Sequence, residues 1–207
     1  VRVDESQQWS LTVLDILSDG KYEYELYATD AAGNATPSVT GEVTIDTVAT
    51  LTGGLDEASD TGSSASDGLT QINTPTFSGT GEQGASVSLT IDGKSYQTTV
   101  DDNGIWQLAV TDELSDGAYQ YTLNTIDLAG NTLSEALSGT IQVDTVAPLN
   151  FTGRLAASSD TGAESDDNLT KATQPQFTGT VEAGAQVTLQ INDQSYAAEV
   201  DEQGNWS

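Results

Sequence analysis

The sequence predicts an all-β protein made of β-sandwich domains in tandem, and three observations lead to this prediction. Motifs recur every 97–100 residues, apolar and polar residues alternate within each repeat, and turn signals separate the alternating runs. A period of this length exceeds the roughly 20–50 residues of solenoid units and suits independent sandwich domains. Because no segment carries a sustained helical period, we expect no helix longer than a single turn.

Tryptophan marks the same position in three successive repeats, at Trp9, Trp106 and Trp206. The motif Asp-x-Ala-Gly-Asn occurs at 30–34 and 127–131, and Ser-Asp-Thr-Gly occurs at 59–62 and 159–162. This spacing predicts three parts, namely the C-terminal half of a repeat (1–47), one complete repeat (48–146) and the N-terminal half of another (147–207).

Each half-repeat alone would leave a sheet face and strand edges uncovered, which is unfavourable for a folded domain. We therefore expect the two halves to be ordered by packing together, either between molecules or across the chain.

The strands of the complete repeat follow from period-two alternation, as in Val87, Leu89 and Ile91, which alternate with Ser88 and Thr90. Turns are indicated by pairs such as Asp92-Gly93 and Asn103-Gly104. The predicted strands are A 52–60, B 75–80, C 86–92, C′ 95–101, E 105–110, F 118–127 and G 137–144.

One local pattern narrows the fold to the immunoglobulin type. Tyr119 follows Asp116-Gly117 at the start of strand F, as in a tyrosine corner, and Tyr22 follows Asp19-Gly20 in the same way. An ordinary turn before a tyrosine-rich strand is the alternative. The recurrence favours the corner, so the predicted fold is tandem immunoglobulin-like β-sandwich repeats of about 98–100 residues each.

The charge of the chain limits its partners. Its 32 Asp and Glu outnumber 5 Lys and Arg, for a formal net charge of −27. Such a surface repels nucleic acid and anionic membranes, and no apolar run approaches the roughly 20 residues of a membrane span. Neither nucleic-acid binding nor membrane insertion is therefore expected.

The acidic residues themselves suggest a cation. Antiparallel topology brings three loops and the incoming linker to one end of the complete repeat, where their carboxylates would repel one another unless a cation bound. Ca²⁺ takes 6–8 oxygen ligands, whereas Zn²⁺ prefers nitrogen and sulfur, and the chain has no His or Cys. The predicted calcium ligands at this junction are Asp46, Glu82, Asp101 and Asp127.

Further calcium ligands are predicted at two other places. At the next junction they are Asp144, Glu182 and Asp201, with Asp30 supplied by the complementary half-repeat. In the segments between strands A and B they are Asp60 with Asp67, and Asp160 with Asp167. The alternative for every one of these acids is that it only solvates a loop or caps a turn.

The ordered string of motifs resembles a known family. Asp-Thr-x-Ala-Pro, Ser-Asp-Thr-Gly, Pro-x-Phe-x-Gly-Thr, Gly-x-Trp and Asp-x-Ala-Gly-Asn are similar to the bacterial Ig-like repeats of giant type I-secreted adhesins. The resemblance implies an extracellular, cell-attached rod with calcium at and near domain junctions. One departure is Thr50, which stands where the next junction has Pro148.

The predicted function is a calcium-stiffened spacer at the bacterial cell surface, which presents a distal module for adhesion or biofilm formation. Its partners would be calcium ions and neighbouring repeats, with a host or matrix receptor bound through another region. Two alternatives remain: a repeat that itself binds a glycan or other ligand, and an accessory domain of a polysaccharide-degrading enzyme. An enzyme is not expected, because no nucleophile–base pair through His or Cys and no phosphate loop occurs.

Overall fold

The computed structural model describes residues 8–62, 64–164 and 166–207, and its regular secondary structure is entirely β. This result confirms the all-β prediction. Within the described residues no helix is long and apolar enough to cross a bilayer. The strands are β1 (Gly20–Leu26), β2 (Val39–Ile45), β3 (Leu51–Leu55), β4 (Leu69–Thr70), β5 (Thr76–Gly81), β6 (Ser86–Ile91), β7 (Lys94–Thr99), β8 (Ile105–Ala109), β9 (Gly117–Ile126), β10 (Leu137–Val143), β11 (Thr152–Leu155), β12 (Phe177–Thr180), β13 (Val187–Ile191), β14 (Gln194–Ala198) and β15 (Asn205–Trp206).

The chain divides into two compact units, Val1–Thr145 and Val146–Ser207. The first strands described in the first unit form the antiparallel hairpin β1–β2, in which Gly20 pairs with Ile45 and Leu26 with Val39. After the hairpin, the same unit contains two sheets that form a sandwich. One sheet has the order β3-β5-β8 and the other has the order β4-β10-β9-β6-β7.

The core of the sandwich is formed by the alternating residues that the sequence pattern identifies. Val87, Leu89 and Ile91 are buried on β6, while Leu123 on β9 and Ile141 on β10 are buried beside them. In β6 the intervening Ser86 and Thr90 are exposed. Since successive side chains of a strand point to opposite faces, this alternation fixes which face of the five-stranded sheet meets the other sheet.

Trp106 attaches the first strand of the sandwich to the core. Its indole is buried, and Nε1 donates a hydrogen bond of 3.1 Å to the carbonyl of Thr52 on β3. A Cβ at Gly53 would meet the Trp106 ring and the carbonyl of Ser78. Only glycine therefore allows β3 to lie this close to β5.

The second unit contains the three-stranded sheet β11-β12-β15 and the hairpin β13–β14. Val181, Val187 and Trp206 form its small core, with Phe177 packed against them. Trp206 repeats the role of Trp106, because its Nε1 donates to the carbonyl of Thr152 at 3.0 Å.

The predicted strands agree with the structure except in the A strand and one added strand. The A strand, predicted over 52–60, ends at Leu55 because a turn follows, in which the amides of Ser59 and Asp60 donate to the carbonyl of Asp56. The short strand β4, which pairs in parallel with β10, was not predicted.

Both predicted tyrosine corners are present. The hydroxyl of Tyr119 donates to the carbonyl of Ser115 at 3.0 Å, and that of Tyr22 donates to the carbonyl of Ser18 at 2.9 Å. Each bond returns four residues upstream, which is the geometry expected of this motif.

Candidate metal centre

Three carboxylates meet where three strands of the first unit end. Asp46 follows β2, Glu82 follows β5 and Asp127 follows β9. One oxygen of each carboxylate can be chosen so that all three lie within 4.8 Å of one another. The group therefore joins the linker after the hairpin to both sheets of the sandwich.

The loop after β9 binds the Asp127 carboxylate through hydrogen bonds. Asp127 is buried, and its Oδ1 and Oδ2 accept hydrogen bonds of 2.8 Å from the backbone N–H and the side-chain Nδ2 of Asn131. Burial raises the pKa of Asp127, but the hydrogen bonds from Asn131, Gly130 and Ala129 outweigh it and bring the pKa below its usual value. The carboxylate is therefore anionic at neutral pH.

The linker is fixed to the sandwich at two points. Asn131 Nδ2 also donates to the carbonyl of Asp46 at 3.1 Å. Four residues along, Glu82 Oε1 accepts hydrogen bonds from the backbone N–H and the hydroxyl of Thr50, at 2.6 and 2.9 Å. The Asp46 carboxylate has a weaker contact, because Oδ1 accepts from the Val48 N–H at 3.4 Å.

The arrangement suits a hard divalent cation. Each ligand oxygen lies roughly 2.3–2.6 Å from a bound Ca²⁺, so two ligands of one ion are at most about 5 Å apart. The observed limit of 4.8 Å meets this condition. In the described part of the chain the only side-chain ion pair joins Lys94 to Asp112, so no described Lys or Arg neutralises the three carboxylates.

The fourth predicted ligand of this junction, Asp101, is not in the group of three. Its Oδ1 accepts hydrogen bonds from the backbone N–H groups of Asn103 and Ile105, at 2.9 and 2.8 Å. These bonds lower the pKa of Asp101, and the bond from Ile105 is the largest cause. Partial desolvation raises the pKa, but the hydrogen bonds outweigh it. The carboxylate thus closes its own turn, and its role as a ligand stays a prediction.

Asp30 and Asp201 close their turns in a similar way, with Asn34 and Asn205 as donors. The hydrogen bond from the Asn side chain is the main cause that lowers the pKa of each carboxylate. Glu182 accepts from the Leu149 N–H at 3.3 Å. The second junction, which would also include Asp144, stays a prediction.

The A–B loops present a different environment. Asp60 is 8% exposed, and its Oδ2 accepts from the Gly68 N–H at 3.1 Å, whereas Oδ1 is buried without a hydrogen-bond partner among the described residues. Asp160 repeats the arrangement, with the Asn168 N–H as the donor at 3.1 Å and Oδ1 again without a partner in the described part of the chain. A buried carboxylate oxygen without a donor is unfavourable unless something else satisfies it.

Asp67 lies on the same loop as Asp60. Its Oδ1 accepts from the Leu69 N–H at 3.0 Å and would lie 3.3 Å from a Cβ at Gly62. Asp167 has the matching bond to the Leu169 N–H at 2.9 Å. The same loop geometry therefore occurs in both units, although a cation in either loop stays a prediction.

Sequence reasoning missed two features of the centre. Thr50 and Asn131 tie the linker to the sandwich, yet neither was predicted to take part. The recurrence of Asn at the end of Asp-x-Ala-Gly-Asn was the available signal for Asn131. No local signal identified Thr50, because its partner Glu82 is 32 residues away.

The model of the bacterial Ig-like domain family matches residues 1–47, 48–145 and 147–207. The chain belongs to the bacterial Ig-like domain family. No curated protein sequence matches this Ig-like chain.

Solved structures similar to the Ig-like chain are repeat regions of large bacterial adhesins. A Ca²⁺-stabilised adhesin with which an Antarctic bacterium binds ice is 30% identical over 99% of the chain, with a TM-score of 0.36. An Ig-like domain of the M. primoryensis ice-binding adhesin is 34% identical over 38% of the chain and 88% of that domain, with a TM-score of 0.27. A tetra-tandem repeat from the extending region of a large adhesion protein is 22% identical over 98% of the chain, with a TM-score of 0.36. The chain spans 52% of the first and third of these structures.

Proposed function

We propose that this chain is a calcium-stiffened spacer of a large extracellular bacterial adhesin. The convergence of Asp46, Glu82 and Asp127 carries the proposal, because Asp46 lies on the linker and the other two lie on the sandwich. An ion bound to all three would connect consecutive repeats. The similarity to a Ca²⁺-stabilised adhesin supports calcium as that ion.

The mechanism is mechanical. Without a cation, three carboxylates repel one another across the junction, and the net charge of −27 adds to the repulsion between repeats. With calcium bound, repulsion is replaced by shared coordination, and the two hydrogen-bonded points at Asn131 and Thr50 limit the remaining freedom of the linker. The rod then holds a distal binding module away from the bacterial surface. There the module can bind host or matrix receptors or contribute to a biofilm.

Further ions are proposed at the remaining predicted sites. In the A–B loops, the unpartnered Oδ1 atoms of Asp60 and Asp160 support a cation shared with Asp67 and Asp167. At the second junction, Asp144, Glu182 and Asp201 would repeat the first by sequence equivalence, with Asp30 supplied by a complementary half-repeat. Asp101 would become a ligand of the first site once its carboxylate gives up some of the hydrogen bonds that it accepts within its own turn.

Secretion and folding fit the same proposal. Calcium binds the native state, so a millimolar extracellular concentration would stabilise the fold by mass action, whereas low cytosolic calcium would leave the chain looser for type I secretion. The chain would then complete its folding at the cell surface.

Small-angle scattering coupled to size exclusion tests the proposal. Among particles of the same measured mass, the range of particle dimensions should be narrower in calcium than in excess chelator. Magnesium should narrow the range less, because it demands stricter octahedral geometry. Asp46→Asn should reduce the effect. Glu113→Gln removes a charge from an exposed site outside every predicted ligand set and should leave it intact. Identical profiles in calcium and chelator would refute calcium stiffening.

The alternative of a glycan-binding repeat requires exposed aromatic platforms. In the complete repeat Trp106 is buried in the core, which favours the spacer. Binding of the chain to a glycan array, lost when its exposed aromatic residues are replaced, would favour the alternative instead.

A further inference from the structure

We propose that Asp19 and Thr47 are positioning residues for the metal centre at the first junction. Their hydrogen bonds set the direction in which the linker leaves the preceding repeat, and so orient Asp46 towards the other two carboxylates of the centre. This inference rests on the proposed function, because it concerns the calcium site proposed there. Neither residue belongs to the group of three carboxylates, so both act on the ion through Asp46.

The Asp19 carboxylate binds the linker through two hydrogen bonds. Its Oδ1 accepts from the Thr47 hydroxyl at 2.8 Å, and its Oδ2 accepts from the Thr47 N–H at 3.3 Å. Asp19 directly precedes β1 and Thr47 lies two residues after β2, so the contact is made where the hairpin ends. Because both donors belong to the residue after Asp46, the contact fixes the backbone from which the Asp46 side chain projects.

A single peptide group of the linker is hydrogen-bonded on both sides. The N–H of Thr47 and the carbonyl of Asp46 belong to the same planar peptide unit. The N–H donates to Asp19 in the preceding repeat, whereas the carbonyl accepts from Asn131 Nδ2 in the complete repeat at 3.1 Å. Asn131 Nδ2 also donates to Asp127 at 2.8 Å. A hydrogen-bonded path therefore runs from the preceding repeat to a carboxylate of the metal centre.

The tyrosine corner holds the backbone beside Asp19. The Tyr22 hydroxyl donates to the carbonyl of Ser18 at 2.9 Å, and Ser18 directly precedes Asp19. Gly20, which follows Asp19, has a φ of +150°, a conformation that residues with a side chain rarely adopt. Asp19 thus lies between a fixed carbonyl and a turn that needs glycine, so its carboxylate is presented to the linker by a well-defined backbone.

The complete repeat has the same arrangement at the next linker. Asp116 Oδ1 accepts from the Thr145 N–H at 3.0 Å and from the Thr145 hydroxyl at 2.8 Å. The hydroxyl of Tyr119 donates to Ser115, which precedes Asp116, and Gly117 has a φ of +149°. The recurrence in two repeats, each time just before the outgoing linker, indicates a feature of the junction rather than a chance contact of surface side chains.

Threonine variants of the full chain test this role, because they change no charge near the ion. Thr47→Val removes the hydroxyl donor and keeps the shape of the side chain, whereas Thr47→Ser keeps the hydroxyl. Thr145→Val makes the same change at the next linker and is the matched control, and both threonines are exposed. NMR follows the calcium midpoint of the first junction through the side-chain amide signals of Asn131, which bonds to both Asp46 and Asp127.

We expect the calcium midpoint of Thr47→Val to be about tenfold higher than that of wild type. This is the lower end of the range of roughly 10–100-fold typical for removing a group that orients a metal ligand, because the bond from the Thr47 N–H remains. Thr47→Ser and Thr145→Val should stay within about twofold of wild type. In chelator, hydrogen exchange at the Thr47 N–H should be faster in Thr47→Val than in Thr47→Ser, which reports the loss of order without any ion.

An equal calcium midpoint for Thr47→Val and wild type would overturn the positioning role and leave the calcium site intact. An equal loss in Thr47→Ser or in Thr145→Val would also overturn it, because the hydroxyl at the first linker would then not be the cause. If the Asn131 signals of the wild-type chain do not respond to calcium, the proposed function itself is wrong, and Asp19 and Thr47 orient no ligand.

Discussion

Replacing Asp46 by Asn should separate calcium stabilisation from ordinary folding stability. The substitution keeps the shape of the side chain and removes one of the three converging negative charges. In chelator the variant should be at least as stable as wild type, because the substitution removes one of three repelling charges and the hydrogen bond that the described residues give the Asp46 carboxylate, from the Val48 N–H, is 3.4 Å long. In calcium the variant loses a charged ligand, and its stability should fall.

The size of the fall follows from linkage. For a site with a dissociation constant of about 0.1 mM, typical of extracellular modules, 10 mM calcium stabilises the native state by about 2.7 kcal/mol. A tenfold to hundredfold loss of affinity leaves about 1.4 to 0.4 kcal/mol of that stabilisation. For a domain of this size each kcal/mol corresponds to roughly 4–8 °C, so the melting temperature of the variant in calcium should be roughly 5–18 °C lower.

Differential scanning calorimetry in 10 mM calcium, 10 mM magnesium and excess chelator measures this difference. Glu113→Gln is the matched control, because it removes one exposed charge at a residue outside every predicted ligand set. Equal calcium-induced rises for wild type and Asp46→Asn would refute the assignment of Asp46. An equally large loss in chelator would show that Asp46 stabilises the fold rather than the ion.

Three further outcomes are expected. Asp60→Asn should reduce the calcium-induced rise in melting temperature if a cation satisfies the buried Oδ1, and an unchanged rise would exclude that site. Hydrogen bonds from Lys94 and Tyr96 lower the pKa of Asp112 in the folded state from its ordinary value of 3.8. The ionised Asp112 therefore stabilises the fold above that ordinary value, and this stabilisation is lost as the pH falls through the lower folded pKa. In chelator, Asp112→Asn should flatten this part of an acid-unfolding curve. Tyr119→Phe removes the corner hydrogen bond to Ser115 and should cost about 0.5–1.5 kcal/mol in denaturant unfolding, and no measurable cost would show that the corner does not stabilise the repeat.

The sequence predicted the strands well where local alternation decides the structure. Val87, Leu89 and Ile91 occupy one face of β6 because side chains alternate in every strand, and no long-range information is needed to see it. The strand β4 was missed because its pairing with β10 joins residues far apart in sequence, and two residues carry no period. The early end of β3 depends on turn bonds to Asp56 that alternation does not reveal.

The candidate site was predicted only in part for a similar reason. Topology brought Asp46, Glu82 and Asp127 to the same end of the sandwich, and the structure places them together. Topology could not show that Asp101 would accept the amides of its own turn, since the path of each loop decides where its carboxylate points. The buried Oδ1 of Asp60 also lay beyond sequence reasoning, which identified the spacing of the loop but not its burial.

A crystal structure of the chain grown in millimolar calcium, with anomalous diffraction to locate the ions, would show whether calcium joins the linker to the sandwich. We expect one ion at the first junction, roughly 2.3–2.6 Å from oxygens of Asp46, Glu82 and Asp127. If the three carboxylates instead lie apart with no ion between them at that concentration, calcium does not join the linker to the sandwich, and the proposed stiffening is wrong.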